Sequence, residues 1–281
     1  MIARGVGIVR LVHPFPCLLD AVLTAGIGLF AGADGPTAAL LGLAMFCLQA
    51  SIGAVNDLAD LEHDRQGKPA KPLATGLVGL PTAGLVAMAG FAAGLGLSIA
   101  IRPGLGLIGL AGLGLGYAYD LRLKSSPWSW LPFACGIGLL PVYAWFGASG
   151  DVPPALGFLV PAAVLGGAAL ALANQLADDE RDRASGVRTT VGLLGRKRAW
   201  QLIAALHIAV AIIAILTLLG ARAGIVAFGA ALLSIELIAV GTELGRSPTA
   251  AGRERAWELQ AIGLGCLGLA WLAGLSGAGR L

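Results

Sequence analysis

The chain has 281 residues, 57% of them hydrophobic and only 12% charged, with a formal net charge of +3 and a mean hydropathy of +0.83. A soluble domain carries about 25% charged residues, so this composition excludes a soluble globular enzyme and indicates an integral membrane protein. The positive excess is too small to argue for nucleic acid, and none is expected as a partner. A membrane-crossing helix needs ~20 apolar residues, and about nine segments qualify, near 11–33, 37–57, 77–101, 103–120, 127–148, 154–177, 198–220, 222–243 and 256–275. The first imitates a signal peptide, with Arg4 and Arg10 before an apolar run that ends at Ala31-Gly32-Ala33. Asp20 interrupts that run and Pro14 and Pro16 are atypical of a leader, so it reads as an uncleaved first span. Between Gly94 and Gly116 glycine nearly alternates with Leu or Ala, which lets membrane helices approach closely. Its Gly104-Leu105-Gly106-Leu107-Ile108-Gly109 is formally a dinucleotide fingerprint, yet it lies inside a membrane helix with no strand before it. Nine spans leave no room for a soluble domain. The expected fold class is therefore an all-α integral membrane protein: one transmembrane domain over 1–281, a helical bundle around a central cavity.

Basic loops stay cytoplasmic. With the N-terminus inside, only Arg102, Arg222 and Arg280 of the 19 Lys and Arg residues fall outside, leaving 16 inside. One missed or invented span would scramble that split. Trp128, Trp130, Trp200 and Trp257 then sit at cytoplasmic helix ends, as interfacial anchors do. The protein is expected to be multi-pass in the cell (inner) membrane, with its chemistry at the cytoplasmic face.

Four cytoplasmic polar segments remain, 57–76, 120–127, 178–198 and 243–256. Two carry one pattern written twice: Asn56, Asp60 and Asp64 recur as Asn174, Asp178 and Asp182 at a constant offset of 118. On a helix, positions i, i+4 and i+8 drift slowly around one face, so each set projects oxygens in one direction. Carboxylates at a helix C-terminus oppose the macrodipole, and this unfavourable sign occurs twice. A solvated loop balanced by Arg and Lys explains the charge but not the repeated spacing. A divalent cation explains both, and Mg²⁺ suits hard oxygen ligands shared with substrate phosphates. Each acidic cluster is followed by a basic, glycine-containing loop, residues 65–76 and 183–190, suited to anions. Asp20 and Glu236 lie deeper in their spans, where an ionised carboxylate is costly unless paired or facing a polar cavity; cavity lining is expected, with snorkelling or packing as the alternative for Asp20 and a basic loop partner for Glu236. His207 reads as packed and His63 as solvated. Cys17, Cys47, Cys135 and Cys266 show no C-x-x-C spacing and read as packing residues.

These motifs resemble the UbiA superfamily of intramembrane prenyltransferases over nearly the whole chain, from Arg10-Leu11-Val12-His13-Pro14 onward. Asn56, Asp57, Asp60 and Asp64 match its N-D-x-x-D-x-x-x-D motif, and Asp178 and Asp182 its D-x-x-x-D motif. Lys71-Pro72-Leu73-Ala74-Thr75-Gly76 matches its basic-Pro-Leu-x-x-Gly element. Two departures stand out. Tyr119 to Lys124 is one residue longer than the family's Tyr-x-x-x-Lys, and Gln175 occupies the place that corresponds to Asp57. The resemblance implies Asp57, Asp60, Asp64, Asp178 and Asp182 as catalytic residues, with Asn56 joining them as metal ligands for Mg²⁺. It implies Asn56, Lys68, Lys71, Tyr119, Lys124, Asn174 and Arg188 as substrate-binding residues.

The activity it implies is transfer of a polyprenyl group from an isoprenoid diphosphate to an aromatic or other lipophilic acceptor, as in quinone biosynthesis, within the lipid bilayer and with no nucleic acid involved. An intramembrane terpene cyclase and a phosphoribosyl transferase acting on polyprenyl phosphate are alternatives in the same superfamily. A cation channel or transporter is a reading from another class, one that does not require basic, glycine-containing loops after each acidic cluster. A CDP-alcohol phosphotransferase lacks its D-G-x-x-A-R context here.

Overall fold

The structure is a computed structural model that describes residues 2–279. Arg280, counted above among the outer cations, lies outside the described residues, as does the side chain of Arg4. In chain order the helices are α1 (Ile2–Leu11), α2 (Pro14–Phe30), α3 (Gly35–Ala59), α4 (Leu61–Gly67), α5 (Leu80–Ile101) and α6 (Pro103–Ala118). A π-helical turn, Tyr119–Leu123, follows, then α7 (Trp130–Ser149), α8 (Leu156–Ala184), α9 (Thr190–Leu194), α10 (Arg196–Gly220), α11 (Ile225–Leu244) and α12 (Ala250–Gly277). No strand occurs among the described residues. Eight helices are long and apolar enough to cross a membrane, or nine if the bent pair Gly5–Leu11 and Pro14–Phe30 is one span. This agrees with the count expected from apolar run lengths.

Local chemistry sets the helix ends. Pro14, Pro36, Pro81 and Pro103 sit in the first turns of α2, α3, α5 and α6, where the missing N–H removes no helical bond. Asp34 caps α3, its Oδ1 accepting from the Thr37 N–H at 2.9 Å; the Thr37 hydroxyl and amide together hold this carboxyl below the ordinary carboxylate range. The acidic segments differ from the loops expected. The first passes from α3 through Asp60 into α4, and the second lies wholly within α8, which runs seven residues past its predicted end at 177. Each acidic set is thus helical along most of its length.

The chain divides into two compact units, Met1–Leu123 with Tyr143–Gly150, and Lys124–Val142 with Asp151–Leu281. The boundary within α7 falls next to Pro141. In the first unit α3 packs on α2, α5 and α6. A Cβ on Gly90 of α5 would lie 2.7 Å from the Cys47 carbonyl of α3, so only glycine permits that approach. The Ser51 hydroxyl, wholly buried, donates to Ala87 O at 2.6 Å and pairs with the Tyr117 hydroxyl at 2.8 Å. In the second unit α12 lies against α11 and α8, and α10 against α8. Ala169, Leu172, Ala173, Leu176, Val191, Ala199 and Ile203 form its core around α8.

Exposed Leu, Ile and Val side chains on α5, α10 and α11 are the lipid-facing surface of spanning helices. Asp20 is buried and accepts from the Gln49 amide at 2.5 Å, which satisfies the requirement for a partner. Glu236 is exposed on α11 beside Leu232, Leu233 and Val240, and no ion pair to it occurs among the described residues. His207 is packed as expected, against the Thr242 hydroxyl at 2.9 Å. All four cysteines are free.

Candidate active site

In the first unit the site begins where α1 meets α2. His13 has φ 54°, a left-handed conformation unfavourable for a residue with a Cβ. The break it makes brings the backbone of Val12 against α3, where a Cβ on Gly53 would lie 2.8 Å from the Val12 carbonyl. From this position the His13 ring reaches one turn along α3, Nε2 lying 2.9 Å from Asp57 Oδ1. Asp57 is only 1% exposed.

The loop after α4 supplies the second partner. Leu73 and Val78 are buried with Leu11, Ala54, Ala83 and Ala87, and Arg10 Nη2 donates to Ala70 O at 3.2 Å. These anchors hold Lys71, whose Nζ stands 2.8 Å from Asp57 Oδ1 and 2.6 Å from Asp64 Oδ2. Two buried carboxylates therefore converge on one cation. Asn56, one residue before Asp57, donates from Nδ2 to Asp120 Oδ1 at 2.7 Å. Asp60 joins α3 to α4, and the Lys68 N–H donates to Asp64 O at 2.8 Å, closing α4. Tyr119 opens the π turn. A π turn closes i to i+5 rather than i to i+4, so it accommodates the one residue by which the Tyr119–Lys124 spacing exceeds the family pattern.

In the second unit α8 carries Asn174, Asp178 and Asp182. Asp178 pairs with Arg181, and Asp182, whose carbonyl accepts from the Val187 N–H at 2.9 Å, lies in the last turn. Asp179 is buried against Arg183 at 2.8 Å and Arg196 at 3.8 Å. Glu180 pairs with Arg196 at 3.1 Å and with Arg253. Arg253 is 1% exposed; its Nε donates to Leu176 O at 2.7 Å and its Nη1 to Ser247 O and Pro248 O at 3.0 Å. These guanidinium groups offset the carboxylates that the end of α8 would otherwise disfavour. Gln175, at the place corresponding to Asp57, is buried with both ends engaged: Nε2 donates to Ser129 Oγ at 2.9 Å and Oε1 accepts from the Val191 N–H at 3.2 Å. It ties α8 to α9. Arg188 is exposed between those helices, and Lys124 begins the second unit.

The structure thus brings Asp57, Asp64 and Lys71 together in the first unit, turns Asn56 toward Asp120, and sets Asn174, Asp178 and Asp182 along one helix in the second. No three His, Cys, Asp or Glu side chains among the described residues gather closely enough to enclose an ion. The donor set nonetheless fits a hard cation, because Asp57 and Asp64 already share a single positive charge. Sequence reasoning did not single out His13, Asp120 or Arg253. Two of them left a signal, His13 within the Arg10–Pro14 stretch that begins the resemblance and Asp120 inside the anomalous Tyr119–Lys124 spacing.

The profile of the UbiA prenyltransferase family matches residues 21–262. Digeranylgeranylglyceryl phosphate synthase of Thermococcus kodakarensis is 29% identical over 196 residues, which is 68% of this chain and 70% of that one. The enzyme of the same name from Methanopyrus kandleri is 28% identical over 212 residues, 73% and 75% of the two chains. Among solved structures, a UbiA homolog from Archaeoglobus fulgidus bound to GPP and Mg²⁺ superposes with a TM-score of 0.68 at 22% identity, covering 95% of this chain and 99% of that one. This likeness shows the fold.

Proposed function

The chain belongs to the UbiA prenyltransferase family, and from that premise we propose that it transfers a prenyl group from an allylic isoprenoid diphosphate to a lipid hydroxyl, with Mg²⁺ as cofactor. The observation that carries this reading is the convergence of Asp57 and Asp64 on the Lys71 ammonium. Asn56, Asp57, Asp60 and Asp64 would hold one part of the metal complement, and Asp178 and Asp182 the other. When bound, the metal neutralises the charge that builds on the departing diphosphate. Lys71, Lys68, Lys124 and Arg188 bind the remaining diphosphate oxygens. Charge-assisted hydrogen bonds of this kind strengthen as the bond to the leaving group lengthens. The C1–O bond of the prenyl diphosphate breaks, the acceptor oxygen bonds to C1, the acceptor proton is lost, and diphosphate departs. Apolar helix faces hold the prenyl chain and keep water from the allylic cation.

The acceptor we favour is a glycerophosphate-type lipid, since the two relatives, each covering about seven-tenths of this chain, are named for making a digeranylgeranylglyceryl phosphate. This narrows the broader class of aromatic or other lipophilic acceptors. We place the protein in the cell membrane with both acidic helix ends toward the cytoplasm, on the distribution of Lys and Arg. Radiolabelled geranylgeranyl diphosphate, supplied with geranylgeranylglyceryl phosphate or with 4-hydroxybenzoate, tests the acceptor. A labelled ether lipid in the first reaction alone is the expected result. A labelled aromatic product restores the quinone-type reading, and a labelled hydrocarbon without acceptor identifies a cyclase.

A further inference from the structure

Asp120 has no part in the motifs that define the site, yet it is 8% exposed and meets the first residue of the first acidic motif. It lies in the π turn Tyr119–Leu123, which packs directly on α3. π turns inserted in helices recur at functional sites because they redirect a few side chains without breaking the helix. Here the redirected side chain faces Asn56, whose Nδ2 is 2.7 Å from Asp120 Oδ1.

A side-chain amide has a donor end and an acceptor end, and its orientation is decided by its partners. An ionised carboxylate only accepts. Opposite Asp120, Asn56 presents its amino group, and its carbonyl oxygen lies at the opposite edge of the same planar amide. That oxygen is the end a hard cation ligates. We propose that Asp120 is a positioning residue for the cation: it locks Asn56 in the orientation that makes Oδ1 a metal ligand. Removing partners of this kind, one bond removed from the ion, typically weakens metal affinity by about 10–100-fold. The proposal rests on the cation-dependent reading of the site given above.

The test is Mn²⁺ binding to the purified full-length protein, followed by electron paramagnetic resonance without any substrate. Asp120→Asn keeps the shape but offers either end of its own amide, so nothing fixes Asn56; affinity is expected to fall by ~10–100-fold. The exchange variant Asn56→Asp with Asp120→Asn reverses donor and acceptor. Its carboxylate at position 56 has two equivalent oxygens, one for the amide introduced at position 120 and one for the ion, so affinity is expected to return to within a few-fold of wild type. In transfer assays D120N should raise the half-saturating Mg²⁺ concentration while leaving kcat at saturating Mg²⁺ nearly unchanged, a split that a merely structural role does not produce. Wild-type Mn²⁺ affinity in D120N, or a weakened D120N that the exchange does not restore, overturns the proposal. Should D120N fail to insert, the exchange variant decides alone, with wild-type-like affinity in support and a ten-fold loss against. Asp57→Asn separates the two levels: if it too binds Mn²⁺ normally, the cation site itself is wrong; if it loses the ion while D120N does not, only the role of Asp120 fails.

Discussion

Lys71 occupies the place between Asp57 and Asp64 where a cation is needed, at 2.8 and 2.6 Å. Its ammonium relieves repulsion between two carboxylates that are 1% and 4% exposed. Removing one member of a buried charged group is more damaging than never having built it, because the others keep their desolvation penalty without the attraction that offset it. Lys71→Met should therefore lower the melting temperature in metal-free buffer. Added Mg²⁺ should then raise the melting temperature of the variant more than that of wild type, since the ion no longer competes with the ammonium and ligand stabilisation grows with affinity. Equal increments in a thermal-shift titration would show that Lys71 does not stand in for a metal. The sequence pointed to Lys71 as a cation beside the acidic motif, but not to its resting partners. Those depend on how the loop is anchored by Leu73 and Val78.

At the scale of elements, run length and charge made α3 and α8 legible, because an apolar stretch long enough to span a bilayer has few other uses. The ends were less so. A carboxylate-rich segment after an apolar run reads as a loop, since its local cations do not offset all four acidic side chains at a helix C-terminus. In α8 Arg181 and Arg183 pair locally with Asp178 and Asp179, but Glu180 is held from a distance: Arg253 comes from α12, 77 residues beyond Leu176. It grips the helix two residues before Asp178, at the Leu176 carbonyl, and two residues after it, at Glu180. His13 is similar, reaching Asp57 across 44 residues. Pairings of this kind depend on helix register, which hydrophobic periodicity alone does not specify. Arg253→Met keeps most of the apolar stem but leaves the carbonyls of Leu176, Ser247 and Pro248 without their guanidinium donor. Only the Leu176 carbonyl is buried, so at about 1–3 kcal/mol for a buried acceptor left unpaired a loss of about that size is expected. Hydrogen exchange should become faster over residues 176–184 than over α10, which Arg253 does not hold. Uniform change across both helices would mean that Arg253 stabilises the unit as a whole rather than the acidic end of α8.

For the whole molecule, charge decides which way the chain enters the bilayer. Arg102 and Arg222 stand at the ends of hairpin turns, α5 to α6 and α10 to α11, whereas the connections after α4 and α8 carry clusters of Lys and Arg. The rule that orients membrane proteins counts these residues close to the span ends, and here it acts through many connections rather than one. An even number of spans before Asp57 and an odd number before Asp178, or the reverse, would separate the acidic ends across the bilayer. With the bent pair α1–α2 counted as the first span, α3 is the second and α8 the sixth candidate span, so if every candidate crosses the bilayer their C-terminal ends are expected on the same side. In a cysteine-free background, Ser185→Cys after α8 should react with a membrane-impermeant maleimide only in inside-out vesicles. Asp151→Cys, in the connection between α7 and α8, should react only in right-side-out vesicles; both positions are exposed. The opposite labelling pattern would reverse the orientation and set the basic loops outside the cell. Labelling of both cysteines from one side would remove a span between them, and with it the parity that puts the two acidic ends on a common face.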